Sequence, residues 1–176
     1  WDFDGTLLSL YTPQVNSIRR KVMRRSLVML ALAALAATST LLAANTSVGT
    51  WKYNAAKSKF SPGPPYKSRT VKVEAHGEGI KVTVDGVSGD GSKHAYSYSA
   101  NYDGKDNPVT GNPMADTIAY KRIDDNTVEA TTKKGGKAGA TVRIVVAKDG
   151  KSMTVTVKGK NAKGEAFSDV VAYDRQ

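Results

Sequence analysis

From Ser47 to Tyr173 apolar and polar residues alternate with a period of two, and clusters of Gly, Asp and Asn interrupt the alternation at intervals of about ten residues. Thr70 to Ala75 (TVKVEA) and Ile80 to Asp85 (IKVTVD) flank His76-Gly77-Glu78-Gly79. Val71, Val73, Ile80, Val82 and Val84 then share one face of a hairpin, while Lys72, Glu74, Lys81 and Thr83 share the other. The same pattern predicts strands at Ser47 to Tyr53, His94 to Tyr102, Asp116 to Arg122, Thr127 to Lys133, Ala140 to Ala147, Ser152 to Lys158 and Ala166 to Tyr173. Turn residues separate them: Gly89-Asp90-Gly91, Asp103-Gly104-Lys105, Asp124-Asp125-Asn126, Gly135-Gly136, Asp149-Gly150 and Lys163-Gly164. No stretch of this region has a helical period. About nine strands joined by tight turns make an antiparallel meander, which removes its edges by closing. The predicted fold is all-β, an up-and-down barrel of about 8 to 10 strands preceded by a signal-peptide helix. The inner face expected from the alternation holds Val71, Val73, Ile80, Val82, Val84, Tyr96, Tyr98, Ile118, Tyr120, Val142, Ile144, Met153, Val155 and Val157. Two segments break the pattern. Asn54 to Pro65 is rich in proline and reads as a long connection whose Phe60 can plug one barrel end, and Asn107 to Pro113 reads as an irregular excursion with one very short strand.

Ahead of the alternating region the chemistry changes. Met23 to Ala44 has Arg24 and Arg25 as a positive segment, Leu27 to Leu35 as an apolar core, and Leu42-Ala43-Ala44 as a small-residue cleavage site before Asn45. The competing reading is an uncleaved anchor, but Thr38, Ser39 and Thr40 interrupt an apolar run that must reach about 20 residues to span a bilayer. The expected organisation is therefore 1–22 as an upstream extension outside the fold, 23–44 as signal peptide and 45–176 as the barrel. That places the protein in the periplasm or outside the cell after cleavage near Ala44. An outer-membrane barrel is disfavoured, because alternate strand positions carry Lys, Thr, Asp and Glu, which lipid does not tolerate.

The leader also carries much of the charge. Without residues 1–44 the net charge falls from +10 to about +7, spread over Lys52, Lys57, Lys59, Lys67, Lys133, Lys134, Lys137, Lys158, Lys160 and Lys163. Lysines on sheets discourage edge pairing and maintain solubility. They also favour an anionic envelope surface, whereas no aromatic and basic constellation for nucleic acid is present. The chain has no cysteine, which excludes disulfides, thiol catalysis and Cys-based metal sites. His76 and His94 lack partners at metal-ligand spacing, and Asp103, Asp106, Asp124, Asp125 and Asp149 are turn formers rather than a calcium loop. No metal or other cofactor is predicted, and the expected state is a monomer.

Three resemblances add to this reading. Asp2-Phe3-Asp4-Gly5-Thr6-Leu7-Leu8 resembles the signature of haloacid-dehalogenase-like hydrolases, which implies Asp2 as nucleophile, Asp4 as general acid and base, and magnesium between them. That chemistry needs a hydrophobic strand before the motif and an alternating strand and helix scaffold after it, whereas a period-two chain follows here. Gly49-Thr50-Trp51 at the head of a meander resembles the G-x-W signature of the lipocalin and fatty-acid-binding-protein (calycin) superfamily. The resemblance implies that Trp51 packs at the closed barrel end against a basic residue of the last strand, a role for Arg175. GTWKYNAAKSKF and YDGKDNPVTG resemble a group of small secreted bacterial proteins of unassigned function, over most of residues 49–176.

Tyr96, Tyr98 and Tyr102 fall on one strand face, and with Ile118, Tyr120, Phe167 and Tyr173 they are candidates to line a cavity for a small apolar or amphipathic ligand. The same residues serve equally as barrel filling. The sequence thus predicts a secreted or periplasmic, non-catalytic binding protein. A structural or interaction protein of the cell envelope with a filled core is the alternative, and a phosphatase fragment resting on Asp2 and Asp4 is a third reading.

Overall fold

A computed structural model describes residues 45–61, 65–160 and 164–176. The predicted signal-peptide helix lies outside the described residues, as do Asp2 and Asp4. Ten strands follow one another: β1 (Gly49–Lys59), β2 (Ser68–His76), β3 (Gly79–Val87), β4 (Lys93–Ala100), β5 (Asp103–Thr110), β6 (Thr117–Arg122), β7 (Thr127–Lys134), β8 (Lys137–Val146), β9 (Ser152–Lys160) and β10 (Ala166–Arg175). Each pairs antiparallel with its sequence neighbours, and β1 also pairs with β10, so the sheet closes into an up-and-down barrel. Closure gives every strand two partners, which is how an all-antiparallel sheet loses its exposed edges.

Register carries the alternation around the barrel. Val71 of β2 faces Val84 of β3, which faces Tyr96 of β4; the next row inward is Val73, Val82 and Tyr98. On the far side Val142, Val157 and Asp169 form one row, and Ile144, Val155 and Val171 the next. Trp51, Val71, Val73, Ile80, Val82, Val84, Ala100, Ile118, Tyr120, Ala130, Val146, Met153, Val171 and Tyr173 make the buried core.

The two irregular segments are where expectation and structure part. Asn54 to Lys59 is not a connection: β1 continues through it with a shift in register between Asn54 and Lys59. The bulge supplies its own hydrogen bonds. The Ala172 N–H donates to Ser58 Oγ (2.9 Å), Ser58 Oγ donates to the Asn54 carbonyl (2.7 Å), and Asn54 Nδ2 donates to Asp174 (2.6 Å). Side chains thus take over bonds the ladder loses there. Likewise Asp103 to Thr110 is a full strand of eight residues despite its turn-like start and Pro108. The Val109 N–H points to Asp116 of the β6 side (2.9 Å), so the donor that Pro108 lacks faces β4. That seam is paired only at Ser97 with Thr110 and Tyr98 with Val109.

One barrel end is sealed by a set of contacts centred on Trp51. Its indole is 0% exposed and donates Nε1–H to the Ser47 carbonyl (2.8 Å). The Arg175 guanidinium lies 4.3 Å over the ring and donates to the carbonyls of Gly150 (2.5 Å), Val48 (2.6 Å) and Thr46 (2.6 Å). Gly49 makes this approach possible. Its φ is +145°, and a Cβ there would lie 2.5 Å from Arg175 Nη1. The Gly and the Trp of G-x-W therefore serve one device, an arginine clamped over an indole.

Candidate functional site

The barrel interior is not filled. A cavity of about 460 Å³ runs through it, within the ~300 to 1,000 Å³ range of small-molecule sites. Its wall is mainly apolar, with Val71, Val84, Val142, Ile144, Val155 and Val157 among the lining side chains. Strand parity aims each of them inward, yet Val142, Ile144, Val155 and Val157 are only half-buried. Their remaining surface faces the cavity. The lining also includes Met114, which is 63% exposed, and the exposed Lys160, so the cavity reaches solvent on the side opposite Trp51.

All six side chains that the sequence nominates for ligand contact, Tyr96, Tyr98, Ile118, Tyr120, Phe167 and Tyr173, line this cavity. They do not act alike. Tyr98 and Tyr120 share a hydrogen bond between hydroxyls (2.6 Å) and tilt against each other with ring centroids 5.8 Å apart. Burial pushes the Tyr98 phenol well above its ordinary pKa, with Tyr120 beside it acting the same way. Burial likewise raises Tyr120, Tyr96 and Tyr173, against a smaller opposing effect of Arg69 on the last two. These phenols stay neutral, so they offer hydroxyl donors and acceptors rather than charge. Tyr96 stacks on Tyr98 (6.5 Å), and Tyr102 meets Tyr120 edge-on (6.2 Å).

Near the open side stands a polar cluster that period-two reading had stopped one residue short of. Arg69 precedes the strand expected from Thr70, but it has the parity of Val71 and Val73 and so points inward. It lies in one row with Gly86 of β3 and His94 of β4. Its guanidinium sits 4.6 Å over the Tyr66 ring and 5.5 Å from the Tyr96 ring, and Nη2 donates to Tyr96 Oη. Burial alone works against the guanidinium's charge, while Tyr96, Tyr173, Tyr66 and Tyr98 around it favour the cation and leave its pKa raised. Arg69 is a fixed positive charge in an apolar cavity. His94 is not near a metal-ligand set: it packs on Tyr66 (5.4 Å), and its Nδ1 is 3.2 Å from Ser88 Oγ. Burial first and Arg69 second hold the imidazole below its usual pKa, against a weaker pull from Asp85. Phe60 closes the group, edge-on to Tyr66 (5.4 Å) and Tyr53 (6.4 Å). Among the described residues no group of three or more His, Cys, Asp or Glu side chains is placed to hold a metal ion.

No protein-family model matches the chain, and no curated protein matches it. Among solved structures, the S-type phycobiliprotein lyase CPES from Guillardia theta is similar with a TM-score of 0.47 at 14% identity, over 74% of this chain and 89% of that chain. That neighbour is named as a lyase, so the expectation that this chain is not an enzyme is withdrawn, and the likeness says nothing of what this chain does. A β-barrel of this outline does not separate binding from catalysis, because function resides in the site and not in the fold.

Proposed function

We propose that this chain is an exported, lipocalin-like barrel that takes a small apolar or amphipathic molecule into its interior. The observation that carries the reading is the half-burial of side chains that parity sends inward. Val142, Ile144, Val155 and Val157, neighbours on β8 and β9, line the cavity and are only half-buried, whereas Trp51, Val71 and Val84 at comparable inward positions are buried. A filled core brings such residues into contact at crystal-like density. An apolar cavity of about 460 Å³ with a few tyrosine hydroxyls instead offers burial to a ligand and orientation through its polar groups. The leader at 23–44 supports export, with cleavage before Asn45.

The test uses N-phenyl-1-naphthylamine, an uncharged probe that brightens on leaving water. Saturable uptake at one site by the native chain is expected, together with its loss in Val142→Trp, whose indole projects into the cavity from β8. Circular dichroism of the variant checks that the barrel persists. Well-folded native protein that takes up no probe would overturn the reading and favour a filled-core envelope protein.

A further inference from the structure

We propose that His94 makes the cavity's hold on its ligand proton-dependent: the ligand is kept while the imidazole is neutral and let go when the ring takes a proton. The inference rests on the cavity being a ligand site and adds the control of its occupancy.

His94 is half-buried and lines the cavity at its open side, in one row with Arg69 and Gly86. Gly86 lets the ring lie against β3, since a Cβ there would be 2.7 Å from Nε2 and 2.9 Å from Cε1. Nε2 is thereby shut off from water, and it has no hydrogen-bond partner among the described residues. The other nitrogen, Nδ1, is 3.2 Å from Ser88 Oγ. A neutral imidazole has one donor and one acceptor nitrogen, whereas in the imidazolium both donate. Nε2 then holds a proton that faces no acceptor. Buried donors of that kind are rare because each forfeits its bond to water.

The charges around the ring add to the cost. Arg69 of β2 and His94 meet on the same ring, that of Tyr66 in the segment before β2, whose centroid is 4.6 Å from Arg69 Cζ and 5.4 Å from the His94 ring. A proton on His94 puts a second cation beside the first. Asp85 of β3, exposed and next to the row, pulls the other way more weakly than Arg69. On the turn between β3 and β4, Asp90 is taken up by Ser92 (2.9 and 2.7 Å), and Lys67 near it and Lys93 next in the chain to His94 are further cations. Tyr96, the next inward side chain of β4, stays neutral, and on its β5 side the strand meets Gly111, which brings no side chain.

Tyr66 ties this ring to the wall of the cavity. It lines the cavity itself and packs edge-on to Phe60 (5.4 Å) and Tyr53 (5.8 Å), so four side chains at the open side are arranged around it. An apolar ligand that fills the cavity removes water that would solvate an imidazolium and rests on the same wall. Binding thus favours the neutral ring. By reciprocity a proton on the ring disfavours the ligand to the same extent. The ligand is held near neutral pH and released as pH falls below the ordinary histidine value of about 6.5.

The experiment measures the dissociation constant of N-phenyl-1-naphthylamine, which carries no charge over this range, for the full chain at about pH 7.5 and about pH 5, with circular dichroism at both. The native constant should rise about fivefold or more at the lower pH, the lower end of ordinary coupling between two sites, while that of His94→Gln should change less than about twofold. The reciprocal effect is read from the imidazole Cε1–H resonances of the native chain, which has only His76 and His94. Filling the cavity with the probe should move the His94 titration to lower pH and leave that of the exposed His76 in place. A native constant that does not follow pH would overturn the proposal and leave the cavity reading standing. So would a folded His94→Gln that follows pH as the native chain does, or a loss of probe in acid that comes from unfolding. If His94→Gln does not fold, the native resonances decide, and a His94 titration unmoved by the probe sinks the idea. Native protein that takes up no probe at about pH 7.5 would overturn both readings.

Discussion

Replacing Trp51 with Ala is the strongest single test of how this barrel is closed. The side chain is the largest that is wholly buried among the described residues, with no exposed surface. Truncating a core aromatic to Ala costs about 3 to 5 kcal/mol, from lost transfer free energy and the cavity left behind. Two further contacts go with it. The Ser47 carbonyl loses the Nε1–H donor at 2.8 Å, worth about 1 kcal/mol, and Arg175 loses the ring 4.3 Å beneath it, worth ~0.5 to 2 kcal/mol. These contributions overlap, because the carbonyls of Gly150, Val48 and Thr46 still hold Arg175 and limit collapse of the site. The expected loss is about 4 kcal/mol, roughly a quarter or more of the stability of an ordinary domain. Trp51→Phe keeps most of the buried area and gives up the hydrogen bond and part of the cation–π contact, for about 1 to 2 kcal/mol. Urea unfolding followed by far-ultraviolet ellipticity is the assay, since the substitution removes the one tryptophan of residues 45–176 and with it the barrel's indole fluorescence. The midpoint should fall with the denaturant slope unchanged, as expected when stability and not compactness has altered. A loss under about 1 kcal/mol for Trp51→Ala would refute the closed-end account. So would equal losses for Ala and Phe, which would assign the energy to the polar contacts and not to the packed ring.

Gly49→Ala should destabilise by about 1 to 3 kcal/mol, because φ of +145° and the 2.5 Å approach to Arg175 Nη1 both penalise a side chain; an unchanged urea midpoint would contradict this. Tyr98→Phe should cost about 1 kcal/mol by leaving the Tyr120 hydroxyl without its 2.6 Å partner, again read from the urea midpoint. His94 predicts a pH effect of definite sign. Its folded pKa is depressed by burial and by Arg69, so between that value and about 6.5 the unfolded chain binds more protons than the folded one. Its contribution to stability is therefore complete above about pH 6.5 and is lost as pH falls toward the depressed folded value. Stability profiles of native protein and His94→Asn should diverge across that window, and parallel profiles would sink the argument.

Much of this architecture was legible in the chain because a strand's side chains have a period of two and the turns announce themselves chemically. Val71, Val73, Val82 and Val84 could be placed on the inner face from Thr70–Ala75 and Ile80–Asp85 alone, and the meander they belong to has closure as its natural end. The same rule failed where residues carry two meanings. Pro108 and Asp103-Gly104-Lys105 read as loop because a missing donor and turn formers usually mark one; tertiary pairing to β6 makes them strand. Asn54 to Lys59 read as a connection because a bulge repaired by the Asn54 and Ser58 side chains leaves no period to detect.

For the site, parity nominated Tyr96, Tyr98, Ile118, Tyr120, Phe167 and Tyr173 as inward, but period alone says nothing about how far apart opposite walls stand. Whether Val142 meets Val84 or faces empty space depends on strand number and tilt, which are properties of the closed barrel. Arg69 shows the limit most clearly. Its parity with Val71 was readable, yet a charged residue at a strand start is ordinarily solvated, and nothing local says that its Nε lacks a partner among the described residues. Alternation determined which side chains turn inward. Only closure of ten strands into one barrel decided that they surround a cavity, and that the Arg69 guanidinium stands in its wall, because both depend on contacts between residues far apart in the chain.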